Sequence, residues 1–227
     1  MKRRIHGNVE DGSVIFQRIW YSLFQITAAG LYVGLMGGRA YHRERVPRRG
    51  GLLVVSNHQS YLDPILAAIS IYRPFNPMAR ATLFRVGPFG WLIRSLYAFP
   101  VKLGRADVGA MKEALRRLRA GRIVLVFPEG TRTRDGSIGK LQAGIIVMAQ
   151  RAGVPVLPMV IDGAYECWPR GRLLPTLGPV RVIYGEPVGA EQVQEAPVEE
   201  TIEEVRRRMM ALQAEVRQKK AECILRI

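Results

Sequence analysis

Apolar positions along this 227-residue chain change their period as it proceeds. Residues 19–38 are a run of twenty without a charge, the minimum length for a bilayer-crossing helix, about 20 residues. Gly30, Gly34, Gly37 and Gly38 dilute the run, as do Ser22, Gln25 and Thr27. At helical spacing Arg18, Ser22, Gln25 and Ala29 make a narrow polar or small stripe. Ile15, Ile19, Leu23, Ile26 and Val33 fall on another face. That asymmetry fits a helix lying in one leaflet. A spanning helix and a helix in a soluble core stay open as readings.

From residue 51 the pattern alternates between strand and helix. Residues 51–56, 122–127, 154–161 and 180–184 are short apolar runs of strand length. Asp107 is placed as an N-cap, with Val108, Met111, Leu115 and Leu118 on one helical face and Gly121 as the stop. Residues 144–152 form a second helical segment, ended by Gly153. Pro197 opens a last helix at its first turn, and Val198, Ile202, Val205, Met209, Leu212 and Val216 recur at spacings of four and three. Its start is acidic and its end basic, as the helix dipole favours. The expected fold class is α/β: a single-domain layered sandwich with a largely parallel mixed sheet, plus an N-terminal membrane-associating helix. The expected organisation is a membrane-associating segment over residues 1–40. A catalytic domain over 41–227 follows, including the C-terminal amphipathic helix.

Charge sharpens this picture. The net charge is +15, and residues 191–227 are near neutral, so the excess lies in residues 1–190. A basic body fits an anionic partner. No zinc-finger, RNP-type or basic-zipper pattern is present, which points away from nucleic acid. Lys2, Arg3, Arg4 and Arg18 precede the apolar run, and Arg39, Arg43, Arg45, Arg48 and Arg49 follow it, placed to meet anionic headgroups. Glu10 and Asp11, and the lack of a small-x-small site, argue against a cleaved signal peptide. Cys167 and Cys223 match no disulfide or ligand spacing, which favours a reducing compartment. His6, His42 and His58 are isolated, so no metal is expected. There is no G-x-S-x-G elbow, Walker A loop or G-x-G-x-x-G loop.

The candidate chemistry sits just after two of the apolar runs. Asn57-His58-Gln59-Ser60-Tyr61-Leu62-Asp63 joins an imidazole to a carboxylate, the pair a general base needs. Asp63 also fits a simpler role: Ser60-Tyr61-Leu62-Asp63 reads as a capping box with Pro64 behind it. Asn57 is expected to hold the turn. Phe127-Pro128-Glu129-Gly130-Thr131-Arg132 forms a second loop. There the backbone donors of Gly130 and Thr131 and the Arg132 guanidinium can grip a phosphate. In the bland reading Glu129 and Arg132 pair with each other.

These two motifs together resemble those of the glycerolipid acyltransferase family, with residues 57–63 like its first motif and 127–132 like its third. Residues 154–158 resemble its fourth motif, and Tyr184-Gly185-Glu186-Pro187 its late strand-turn. The resemblance implies that His58 and Asp63 are catalytic. It implies that Glu129, Gly130, Thr131 and Arg132 bind the substrate. In the second motif, Phe99-Pro100-Val101-Lys102-Leu103, leucine stands where the family carries arginine, so Lys102 and Arg105 are expected to supply the charge. Gln142 stands where many relatives have lysine. The implied activity is transfer of a fatty acyl group to the free hydroxyl of 1-acyl-glycerol-3-phosphate. The donor would be acyl-CoA or acyl carrier protein, with no cofactor. The implied partners are a lysophospholipid, that donor and an anionic membrane surface, with the enzyme on the cytoplasmic face. Another lysophospholipid acceptor, thioester hydrolysis by the same dyad, and a non-enzymatic lipid- or nucleic-acid-binding module are the alternatives.

Overall fold

The computed structural model describes residues 12–71, 73–102 and 107–224. The cations and acids of residues 1–11 named above lie outside it, as do Leu103 and Arg105 and the side chain of Cys223. A seven-stranded sheet has the order β1-β7-β6-β2-β5-β3-β4. Its strands are β1 (Arg39–Tyr41), β2 (Leu52–Ser56), β3 (Phe75–Arg80), β4 (Phe99–Val101), β5 (Ile123–Val126), β6 (Val156–Asp162) and β7 (Arg181–Tyr184). Every pairing is parallel except β6 with β7. The chain is thus an α/β sandwich on a mostly parallel mixed sheet.

Alternation along β2 sorts the two sides of the sheet, because successive strand residues point to opposite faces. Leu53 and Val55 join a core with α4 (Val108–Arg119), α5 (Gly144–Ala152), α7 (Ala190–Glu195) and α8 (Val198–Ile224). Leu52 and Val54 join one with α1 (Gly12–Met36), α2 (Asp63–Ile69) and α6 (Ala164–Cys167). Helix α3 (Gly87–Ser95) lies before β4. Both faces are covered, so the central strands read as continuous apolar runs.

The helix signals act as the sequence implies. The Asp107 carboxylate accepts from Ala110 N at 3.1 Å, and Gly121 adopts φ 74°. The buried stripe of α4 is Ala110, Ala114 and Leu118, with Met111 and Leu115 at its flanks; Val108, expected on that face, is 64% exposed. After α5, Gly153 takes φ 66°. Its N–H bonds Gln150 and that of Val154 bonds Ala149, a Schellman closure. Val154 is therefore used to end the helix, and β6 begins at Val156. On α8, Ile202, Val205, Met209, Leu212 and Val216 are all buried. Each such side chain contributes ~1.5–3 kcal/mol, so this stripe outweighs the exposed Glu203–Arg206 ion pair, which belongs to a class worth ~0–1 kcal/mol.

Of the polar and small stripe on helix α1, Gln25 and Ala29 turn toward the body, whereas Arg18 and Ser22 are exposed. Ile15, Ile19, Leu23, Ile26 and Val33 are exposed. On the opposite side Gln25 Nε2 donates to the carbonyls of Ala68, at 2.7 Å, and Ile71. Trp20 Nε1 donates to Ser95 Oγ at 3.0 Å. The Tyr21 hydroxyl accepts from Phe75 N at 3.1 Å. The helix is long and apolar enough to cross a bilayer, yet its inner face is docked on α2 and α3. It is a candidate membrane-associating segment.

The sequence pattern gives no strand between residues 64 and 106, where the structure places β3 and β4. Pro77 and the short runs hide them. β3 pairs β5 through Phe75–Pro77 and β4 through Met78–Arg80, so the proline sits where the ladder changes partner and its missing donor costs little.

Candidate active site

The site is placed by topology. β2 leads through α2 past β5 to β3, whereas β5 leads through α5 past β2 to β6. The connections after these two adjacent parallel strands diverge to opposite faces, so their C-terminal ends flank a switch-point crevice, the usual ligand position in open α/β sheets. His58 lies two residues beyond β2 and Glu129 three beyond β5. Sheet register joins loops some seventy residues apart in sequence.

His58 Nδ1 is 2.7 Å from Asp63 Oδ2. With Asp63 ionised, Nδ1 carries the proton and Nε2 is left as the acceptor. The ring stacks on Phe127, with centroids 4.3 Å apart, and its side chain keeps 22% exposure while Asp63 has none. Asp63 Oδ2 also accepts from Gln59 N at 2.6 Å and Ser60 N at 2.7 Å. The capping role and the histidine contact therefore coexist on one oxygen. Ser60 Oγ accepts from Leu62 N at 3.2 Å, so only the carboxylate half of a capping box is present. Asn57 pairs with both backbone groups of Ile161, at 2.9 and 2.8 Å. It fastens the turn to β6 in place of a ladder residue.

The second loop holds the first in place. Glu129 Oε1 accepts from His58 N at 3.0 Å and Oε2 from Gly139 N at 3.3 Å. Half-buried Glu129 bonds these two amides and not Arg132, so the Glu129–Arg132 pairing is absent. Burial pushes its carboxyl above the usual range, opposed by those two amides. Gly130 takes φ 72°, and its N–H donates to the Phe127 carbonyl at 3.1 Å. Its amide therefore closes the turn. A Cβ there would lie 2.6 Å from the end of the exposed Gln142 side chain, which can move, so it is the positive φ that favours glycine. Thr131 is exposed.

Arg132 lays its guanidinium 3.5 Å from the centroid of Tyr61, and its Nη1 is buried without a protein hydrogen bond. A buried guanidinium donor without a partner is costly, and an anionic oxygen would satisfy it. Lys102 is exposed at the C-terminal end of β4. Three strand spacings separate β4 from β2, about 14 Å, so Lys102 shares the sheet edge with His58 without touching it. Arg105 falls outside the described residues.

Two contributors carry no sequence signal. Thr133 N donates to the His58 carbonyl at 2.8 Å. The Gly136 carbonyl accepts from Gln59 Nε2 at 3.0 Å, Gln213 Nε2 at 3.1 Å and Arg217 Nη2 at 3.4 Å. Helix α8 thus braces the loop from behind, through donors separated from it by about eighty residues. Among the described residues no cluster of His, Cys, Asp and Glu could hold a metal.

Glu129→Gln tests the brace. Glutamine has one carbonyl oxygen for two amides, so kcat should fall about tenfold or more while the acceptor KM holds, the mark of a positioning residue. A carboxyl raised in the folded state favours folding below its unfolded pKa and loses that contribution as pH rises through the folded value. Thermal unfolding of wild type from the ordinary glutamate range upward should show this loss, and the variant should not. Unchanged kcat contradicts the bracing role.

The crevice thus sets a His–Asp pair and a buried arginine donor at the switch point. The family model for Acyltransferase matches residues 39–162, and the chain belongs to that family. It is 33% identical over 137 residues to the chloroplastic 1-acyl-sn-glycerol-3-phosphate acyltransferase BAT2 of Brassica napus, covering 59% of this chain and 40% of that protein. It is 28% identical over 182 residues to the 1-acyl-sn-glycerol-3-phosphate acyltransferase of Bacillus subtilis, covering 79% and 88%. The crystal structure of the 1-acyl-sn-glycerophosphate (LPA) acyltransferase PlsC from Thermotoga maritima superposes with a TM-score of 0.77. Identity there is 27%, covering 94% of this chain and 85% of that one. The chain spans about two fifths of the length of the chloroplastic relatives.

Proposed function

We propose that this chain transfers a fatty acyl group from acyl-CoA or acyl carrier protein to the free hydroxyl of 1-acyl-glycerol-3-phosphate, giving phosphatidic acid. In this reading it acts on the cytoplasmic face of a membrane. The observation that carries the proposal is the 2.7 Å His58–Asp63 contact beside the unpartnered Arg132 donor. The names of the relatives support the acceptor. Nε2 of His58 takes the hydroxyl proton as the oxygen attacks the thioester carbonyl. The C–S bond breaks, and the imidazolium returns the proton to the departing thiolate. Asp63 stabilises the imidazolium meanwhile. No protein nucleophile is required, and acyl-CoA or carrier protein enters as co-substrate.

Arg132 is assigned to the acceptor phosphate. Lysine cannot reproduce its planar fork or its stacking on Tyr61. Arg132→Lys should raise the KM for lysophosphatidic acid about tenfold or more, the scale of one charged hydrogen bond, with the donor KM unchanged. Equal rises in both would contradict the assignment. The function itself is tested with purified protein, labelled acyl-CoA and a panel of lysophosphatidic acid, lysophosphatidylglycerol and a neutral lysolipid. Preference for the neutral acceptor would overturn the phosphate reading. Release of free fatty acid without acylated product would show a hydrolase.

A further inference from the structure

We infer that the loop of residues 168–178, between α6 and β7, inserts into the bilayer and sets the mouth of the site at headgroup level. This adds a second lipid contact to helix α1 and rests on the acyl-transfer reading above. Leu173, Leu174 and Leu177 are 88%, 72% and 70% exposed. They are the three most exposed large apolar side chains among the described residues. The loop that carries them is tied. Thr176 N donates to the Cys167 carbonyl at 2.8 Å, and Trp168 Nε1 to that of Arg172 at 3.0 Å. Arg172 Nη1 reaches Thr176 Oγ1 at 3.0 Å and the Glu166 carbonyl at 3.2 Å. A loop ordered by its own polar groups while showing three leucines to water is built for an apolar partner.

Charge and position identify that partner as an anionic bilayer. Arg170 and Arg172 immediately precede the leucines, and no Asp or Glu occurs from residue 167 to 185. Apolar tips with cationic shoulders bind anionic lipid. At one end the loop meets α1: Val180 N donates to the Met36 carbonyl at 3.4 Å, and the Tyr32 hydroxyl to that of Val180 at 3.1 Å. There α1 exposes Leu31, Val33 and Leu35, and residues 12–43 hold no carboxylate. At the other end the loop meets the site. Ser60 Oγ donates to the Trp168 carbonyl at 2.9 Å, and the Trp168 and Tyr61 rings lie 5.2 Å apart. Tyr61 carries Arg132 on its ring. With the leucines among acyl chains, Trp168 and Tyr61 sit where amphipathic rings favour the interface, and Arg132 meets a headgroup phosphate.

The test uses the full chain carrying Leu173→Ser, Leu174→Ser and Leu177→Ser together. Transfer from acyl-CoA is measured to long-chain lysophosphatidic acid in phosphatidylglycerol–phosphatidylcholine vesicles, and to a short-chain, monomeric analogue. The vesicle rate should fall about tenfold or more, as expected for removing three buried leucines. The monomeric rate should stay within about twofold, the usual range for surface substitutions. Leu174→Trp keeps the apolar tip, and its added fluorescence should be quenched by brominated lipid. Equal losses on both acceptors would overturn the inference, as would no loss, or a loss seen only with acyl carrier protein as donor, which would make the loop a protein contact. If wild type transfers nothing to either acceptor, the acyl-transfer reading fails, and quenching of L174W alone decides whether the loop enters lipid.

Discussion

His58→Ala is expected to lower kcat by roughly 10²–10⁴-fold, the range for a general base, with folding retained. The structure explains why folding should survive. Asp63 Oδ2 keeps its two amide donors from Gln59 and Ser60 when the imidazole is removed, so no buried carboxylate is stranded. The loss is of one partly buried ring, 22% exposed, and its stacking on Phe127. Labelled acyl-CoA and lysophosphatidic acid give the rate, and circular dichroism gives the fold. Wild-type turnover by the purified variant would remove His58 from the chemistry.

Asp63→Asn should also reduce kcat by roughly 10²–10⁴-fold, and unlike His58→Ala it should cost stability. The amide oxygen must take the place of Oδ2, because an NH₂ there would oppose two backbone donors. The imidazole then keeps its tautomer, and what disappears is the charge that stabilises imidazolium. The NH₂ must occupy the place of Oδ1, which is buried and bonds nothing among the described residues. A buried donor without a partner costs about 1–3 kcal/mol, readable as a lower urea midpoint. A wild-type rate with that loss of stability would leave Asp63 only its capping role.

The two variants separate the chemistry from the scaffold that the sequence showed in part. Where neighbours in sequence decide the outcome, the reading was direct. Asp107 and Gly121 bound α4, Gly153 ends α5, and the stripe from Ile202 to Val216 packs α8. These signals act over one to four residues, and helical period exposes them. β3 was hidden because Pro77 breaks the strand pattern and because its two halves serve different neighbours. Such a strand is specified by what lies beside it.

The site divides along the same line. By itself the sequence determined that an imidazole and a carboxylate sit five residues apart after one apolar run. It also placed a glycine-arginine loop after another and an apolar, amphipathic helix ahead of both. Only the tertiary structure brought β2 beside β5 and so put Glu129 under the backbone of His58. It alone turned the Gly130 amide inward, left an Arg132 donor unpaired on Tyr61, and drew Gln213 and Arg217 to the Gly136 carbonyl. The physical reason is range. Caps, turns and amphipathic stripes are local interactions written in consecutive residues. Hydrogen bonds between loops seventy residues apart exist only once sheet register and two packed cores have fixed where each strand ends.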